Sequence, residues 1–465
     1  MMRIVVPVLS LALATAGCAG SVESPGTSEE TSVGLFPSKN LRIAIVGAGP
    51  SGVTAADTLR SEGYQKITIF EKNSYVGGKV TSLHNGTQIA ELGAVFASPD
   101  YKTVLAYAKK YNVPYTEYVT NQEIVDENGV KHTPQDFLTS RYSTLQILAA
   151  VAAYGAAQTL FAGAINGNGF AWQLPDLALP FDQFAAKYGF TPIAELARSV
   201  MVGFGYGYYE TAPAAYYMKL LPWLVKIGGP TGLQQATFYT FPTGYQSLWE
   251  AVAKGMDVRL NSEVTKITRN NSSNPITITL KDGTTSQFDA VIISAPLNKV
   301  SSFMQLTSEE AGLFPTVKGE RYLVDIFAAT GLTAGEVLWF HNTADPTHIN
   351  HINVWANRDP SSPTFVGYQI ADPSLSLAQL QGIEAADIAS QGGTFLGNAV
   401  VKDWDNYFPH VDTNAFHSFF YERVEALQGK NSTYYVGGDL SFETVEHSAR
   451  YAQELVQKNF PTPLF

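Results

Sequence analysis

Residues 43–46, Ile-Ala-Ile-Val, form an unbroken apolar run that enters the turn Gly47-Ala48-Gly49-Pro50-Ser51-Gly52. Val53, Ala56 and Leu59 then recur at helical spacing until Gly63. The pattern predicts strand, glycine turn and helix. A second apolar strand over 67–70 ends in Glu71. Further along, 258–267 reads as two short strands, and strands over 276–280 and 287–293 flank the turn Lys281-Asp282-Gly283 as a hairpin. Residues 288–296 read as a buried strand, and further strands are predicted near 322–328, 352–355 and 364–370. The final unit is a strand ending in Gly437-Gly438-Asp439, followed by a helix that opens at Thr444-Val445-Glu446-His447 and runs through Leu455. No charged residue occurs over 142–175, and 145–164 predicts a buried or interfacial helix, because Gln146, Tyr154, Gln158 and several glycines disfavour a membrane span.

The first unit carries chemistry as well as structure. Of the three glycines, Gly47 makes the tight turn, Gly49 lets backbone approach a pyrophosphate, and Gly52 lets the helix sit close on the strand. Gly49, Ser51 and Gly52 open a helix whose free N–H groups and partial positive charge suit phosphate. A lone match of this kind is weak, and a chance turn in another α/β unit is the alternative. Glu71 strengthens the match, because an acid about 20 residues on, at the end of the next strand, is placed to bind an adenosine ribose. Asp439 and Val445 mark a second strand, acid and helix N-terminus.

A different signal begins at Phe204-Gly205-Tyr206-Gly207-Tyr208-Tyr209 and continues through Ala212-Pro213-Ala214-Ala215-Tyr216-Tyr217. Aromatic residues commonly fill cores. The functional alternative is that glycines between the rings let them stand close around a flat or elongated apolar ligand.

Together with Gly77-Gly78-Lys79 and Glu91-Leu92-Gly93-Ala94, these motifs resemble the flavin-containing amine oxidase superfamily. The resemblance is sharpest to the FAD-dependent polyunsaturated fatty acid double-bond isomerases, through Leu179-Pro180-Phe181-Asp182-Gln183-Phe184, the Phe204 cluster, Tyr407-Phe408-Pro409-His410-Val411 and Val424-Glu425-Ala426-Leu427-Gln428-Gly429-Lys430-Asn431. It implies an α/β fold in which a three-layer, Rossmann-like FAD-binding domain (41–100, 240–300 and 415–465) is interleaved with an α+β substrate domain (101–239 and 301–414). It also implies FAD as cofactor. Gly78 and Lys79 would continue the pyrophosphate site, Gly93 and Ala94 would pass beside the flavin ring, and the Val264 backbone would clasp the adenine. Asp439 would contact the ribityl-pyrophosphate stretch, and the helix beginning at Val445 would support charge on the reduced ring. Phe204, Tyr206, Tyr208 and Tyr407 would face substrate, with Phe204 and Tyr206 supporting chemistry carried by flavin N5.

The expected reaction is isomerisation of a polyunsaturated fatty acid to a conjugated product, with a free fatty acid as the small apolar partner. An amine oxidase or another oxidase using O₂ is the alternative enzyme, and a catalytically silent flavin-binding surface module is the alternative of another class. No Lys or Arg lies between Lys79 and Lys102, so a cation for a substrate carboxylate must come from another segment. His348 and His351 have no cysteine or acidic cluster to complete a metal site, and no metal is expected.

A net charge of −11 argues against nucleic acid as a partner. The lone Cys18 leaves no cysteine pair for an internal disulfide and none near the motifs for flavin attachment, so FAD is expected to be non-covalent. Residues 1–17 read as an export signal ending in Ala14-Thr15-Ala16-Gly17, directly before Cys18. That stretch resembles a bacterial lipoprotein signal, and 18–40 has the composition of a disordered tether. The expectation is an exported enzyme anchored to a membrane surface by lipid on Cys18, with plain secretion as the alternative. Mass spectrometry of the native N-terminus should find a lipidated chain beginning at Cys18, and Cys18→Ser should release the protein from membranes; an unmodified terminus at Gly17 contradicts this.

Overall fold

The apolar run at 43–46 becomes the central strand, Arg42–Val46, of a five-stranded parallel sheet. The strand order is Asp257–Arg259, Lys66–Phe70, Arg42–Val46, Ala290–Ile293 and Thr433–Tyr435. Ile43, Ala44 and Ile45 are fully buried, as a parallel strand covered on both faces requires. The helices Pro50–Ser61 and Val445–Asn459 lie against one another beside this sheet. A three-stranded antiparallel sheet (Val264–Thr268, Ile276–Leu280 and Thr285–Phe288) meets it where Phe288 packs edge-on against Phe70, 5.7 Å between ring centroids. The computed structural model describes residues 38–461 apart from 87, 119–120, 173, 228–232 and 270–274. The expected signal, Cys18 and the tether up to residue 37 lie outside the described residues.

One predicted strand is divided. The run 287–293 gives two strands, Thr285–Phe288 in the antiparallel sheet and Ala290–Ile293 in the parallel one. Between them Asp289 accepts from the Arg42 backbone N–H at 2.7 Å and pairs with its guanidinium, also at 2.7 Å. That anchor fixes where the chain passes from one sheet to the other.

A seven-stranded sheet forms the other layer system. Its order is Thr394–His410, Lys318–Thr330, Thr364–Ala371, Val354–Ala356, Glu336–Phe340, Asn121–Val125 and Lys131–His132. Strand alternation splits its side chains between two faces. Phe327, Leu338, Trp355 and Phe365 pack with Ile388 of the helix Leu377–Ser390. The opposite parity, including Tyr322, Trp339, Val354 and Tyr368, faces a large internal cavity.

The uncharged stretch forms the helix Thr144–Leu160, started by a capping box in which Ser143 and Gln146 satisfy each other's backbone N–H groups. Ile147, Ala150, Val151 and Tyr154 are buried while Leu145 is 78% exposed, so one face packs inward and the other meets solvent. Among the described residues no helix is long and apolar enough to cross a membrane.

One buried ion pair ties the layers together. Burial alone would raise the Glu310 carboxyl, but the Arg269 guanidinium, the Tyr435 hydroxyl and the Thr307 N–H all hydrogen-bond it, and it is lowered from 4.5 to about 2. A carboxylate held below its unfolded value contributes stability above pH 4.5 that is lost as pH falls towards 2. Glu310→Gln should therefore destabilise the protein by about 3 kcal/mol at neutral pH. In denaturant titrations the difference from wild type should shrink steadily below pH 4.5; a constant difference contradicts the assignment.

Candidate active site

The glycine turn is built by close backbone approach. Gly47 has φ +106°, a conformation that side-chain-bearing residues rarely adopt. A Cβ on Gly52 would lie 2.0 Å from the Gly47 carbonyl oxygen, so the helix can begin here only with glycine. Gly49 caps that helix without any side-chain hydrogen bond to its first turn, and Pro50 follows as its first residue. The open N–H groups of a helix start are an anion site. Gly78 stands against this turn, since a Cβ on it would be 3.2 Å from the Gly49 Cα. Gly93 lies closer still to its neighbour, with 1.9 Å between its would-be Cβ and the Lys79 carbonyl oxygen, while the Ala94 N–H donates to that oxygen at 3.0 Å.

Glu71 is buried at the end of its strand. One carboxylate oxygen accepts the Ala48 N–H at 2.8 Å, and the other accepts the Asn73 backbone and side-chain N–H groups, both at 2.8 Å. It therefore holds the glycine turn to the second strand as well as lining the cavity. Val264 lines the same end, near Glu71. Asp439 accepts the Leu297 N–H at 2.7 Å, and burial pushes its carboxyl up to about 7 against the pull of that N–H and of Lys79. Lys79 pairs with Glu443, and its ammonium stands 5.2 Å from the Tyr407 ring centroid. Thr444 caps the helix Val445–Asn459 by accepting the His447 N–H, which leaves Val445 at the cavity wall. Just before it Phe442 adopts φ 89°, ψ 144°, a region reserved almost wholly for glycine. Its ring packs 4.9 Å from Tyr206.

The cavity, about 1100 Å³, runs on from this cradle into an aromatic arm. That exceeds the usual 300–1,000 Å³ of a single-ligand pocket and leaves room for a second molecule beside a dinucleotide. Two rows of rings line the arm. In one, Tyr206 lies 6.1 Å from Phe204, Phe204 6.5 Å from Phe96, and Phe96 5.0 Å from Tyr118. In the other, Tyr407 stacks on Tyr322 at 4.4 Å and Tyr322 on Tyr368 at 6.2 Å. Gly205 permits the close approach of the rows, because a Cβ there would meet the Tyr322 ring at 2.8 Å and the Tyr407 ring at 2.9 Å. Tyr322 also donates to the Gly203 carbonyl at 2.6 Å, and Trp404 donates to the Leu92 carbonyl at 2.7 Å, tying the seven-stranded sheet to both halves of the site.

The structure thus brings Gly47, Gly49, Ser51, Glu71, Gly78, Lys79, Gly93, Ala94, Val264, Asp439 and Val445 to one cavity with Phe204, Tyr206 and Tyr407. Gly52 stands behind the turn as a packing glycine. Tyr208 is a correction: it is buried outside the cavity lining, and burial, with the charges of Glu320, Asp345 and Glu210 adding to it, raises its phenol. In an extended run 204, 206 and 208 would share a face, but Gly205 (φ +75°) and Gly207 (φ +68°) break that alternation. Phe96, Tyr322, Trp339, Arg358 and Tyr368 carried no motif. For Tyr322, Trp339 and Tyr368 the available signal was strand alternation. Among the described residues no group of three His, Cys, Asp or Glu could hold a metal. His348 pairs with Asp345 and His351 with Asp387.

This cradle fits FAD: side-chain-free backbone at the turn, an uncapped helix start for pyrophosphate, a buried acid at the ribose position, and a second helix start across the cleft. Comparison with known proteins agrees. Residues 50–319, more than half the chain, match the family model for flavin containing amine oxidoreductases. The FAD-dependent oxidoreductase dpasF of Apiospora sacchari is 25% identical over 85% of this chain and 87% of its own length. The polyenoic fatty acid isomerase of Ptilota filicina is 25% identical over 54% of this chain and 55% of its own. Among solved structures, the CLA-producing fatty acid isomerase from P. acnes superposes with a TM-score of 0.81 at 26% identity, over 91% of this chain and all of that one. Wild-type putrescine oxidase, at 16% identity and a TM-score of 0.65, shares the fold. The glycine turns, the parallel sheet and the cavity between the sheets are those of a flavin-dependent enzyme, and the chain belongs to the flavin-containing amine oxidoreductase family.

Proposed function

We propose that the protein isomerises a polyunsaturated fatty acid to a conjugated diene, using FAD held without a covalent bond. The observation that carries this reading is the aromatic arm, which continues directly from the flavin cradle and is lined by Tyr206, Phe204, Phe96, Tyr407, Tyr322 and Tyr368. Its walls suit a long unsaturated chain, and the likeness to two fatty acid isomerases supports the same substrate class. Bound in the cradle, FAD supplies a hydride acceptor that can also return the hydride. The carbon between two double bonds gives up hydrogen with its electron pair most readily, since the remaining cation is shared across both double bonds. Return of that hydride to an end carbon of the delocalised system leaves a conjugated diene, with no net oxidation. Tyr206, Phe204 and Tyr407 hold the chain extended and present ring faces to the transient positive charge. Burial in this apolar arm keeps water from trapping it.

Purified protein should be yellow and release intact FAD on denaturation; flavin that stays with the precipitated chain contradicts non-covalent binding. Glu71→Ala should weaken FAD binding by about 1.5–3 kcal/mol for each charge-assisted hydrogen bond lost.

Anaerobic incubation with linoleate should raise ultraviolet absorbance from conjugated diene. Phe204→Ala should lower that rate about tenfold or more while FAD content holds, because one wall of the arm is removed. Absence of diene across a panel of polyunsaturated acids, with hydrogen peroxide formed from an amine in air, overturns the reading in favour of an oxidase.

A further inference from the structure

Arg358 stands where the two aromatic rows converge. Its guanidinium carbon lies 5.5 Å from the Phe96 ring centroid and 5.7 Å from that of Tyr118, the end of one row. Beside it is Tyr368, the end of the other. The Arg358 Nε is buried without a hydrogen-bond partner among the described residues. A buried donor left unmade is costly, so the site is arranged for an acceptor that the folded chain does not itself provide.

The neighbouring acids do not supply one. Glu91 takes the Ser82 hydroxyl at 2.6 Å and the Tyr245 N–H at 2.9 Å. Asp359, the next residue, accepts from the Ser361 backbone and hydroxyl at 3.0 and 2.6 Å and from the Gln88 side chain at 3.4 Å. The other cations lining the cavity are placed differently. Lys79 pairs with Glu443, Lys299 pairs with Asp405 at 3.0 Å, and Lys72 adjoins Glu71 at the nucleotide end. Arg358 alone of these cavity-lining cations ends an apolar, aromatic-walled arm.

We infer that Arg358 is the anchor for the substrate carboxylate, gripping it through the edge formed by Nε and a terminal nitrogen. That edge matches the two oxygens of a carboxylate in a way no ammonium can. The inference rests on the fatty acid reading of the arm and adds direction to it. The acid head sits at Phe96 and Tyr118, and the hydrocarbon runs between the rings towards Tyr206, Tyr407 and the Gly93–Ala94 backbone. The double bonds that react are then chosen by their distance from the carboxyl carbon.

The test uses stearate, a saturated acid that cannot be isomerised, bound to the FAD-loaded enzyme and followed by perturbation of the flavin spectrum. Arg358→Gln should raise the stearate dissociation constant about 10- to 100-fold, and Arg358→Lys should recover part of the loss by restoring the charge. Stearyl alcohol should bind wild type as weakly as stearate binds Arg358→Gln. With linoleate, KM should rise by more than kcat falls. Equal stearate binding by wild type and Arg358→Gln, or equal binding of acid and alcohol by wild type, overturns the anchor. Diene formation alongside either result leaves the isomerase reading standing without it. Arg358-dependent stearate binding with no diene from any polyunsaturated acid sustains the anchor and overturns the isomerase reading.

Discussion

The contact between Gly52 and the Gly47 carbonyl, where no side chain can fit, is the constraint on which the site depends. It lets the first helix start directly against the central strand and aims its open N–H groups into the cleft. Glu71 then locks the turn from the neighbouring strand through the Ala48 N–H. Gly78 and Gly93 repeat the same device further out, each leaving space that a methyl group would close. Backbone lies open at this turn because side chains are absent from one position after another.

The second half of the site follows from a different rule. Alternation along the strands of the seven-stranded sheet sends one parity into a core beneath the helix Leu377–Ser390 and the other into the cavity. Tyr322, Trp339 and Tyr368 are therefore a wall rather than a core. The Tyr322 hydroxyl and the Trp404 indole donate to the Gly203 and Leu92 carbonyls, so the wall is held in fixed relation to both segments. The glycine cradle and the aromatic arm line one continuous cavity.

Much of the cradle was legible because its chemistry is local. Strand, glycines, helix and acid lie within a few dozen residues, and each residue type has a backbone reason for its position. The strand pattern also read correctly at 322–328 and 364–370, where apolar runs are buried on both faces. Tyr208 was grouped with Phe204 and Tyr206 as part of one aromatic cluster, whereas the positive φ values of Gly205 and Gly207 reset the direction of the chain between those rings. The division of 287–293 turned on Asp289 meeting Arg42, a contact across 247 positions that no local pattern contains. Arg358 lay hidden for the same reason. The sequence shows that 80–101 lacks a cation, but the pairing of Arg358 with Phe96 and Tyr118 exists only after both sheets have formed.

The central claim is that one hydride leaves the fatty chain and returns to the same molecule. Linoleate carrying deuterium at both hydrogens of the carbon between its double bonds, mixed with unlabelled linoleate, tests it most directly by mass spectrometry of the conjugated product formed without oxygen. The account predicts that labelled product keeps both deuteriums and that unlabelled product gains none. Loss of one deuterium to water, or its exchange between labelled and unlabelled molecules, would contradict it.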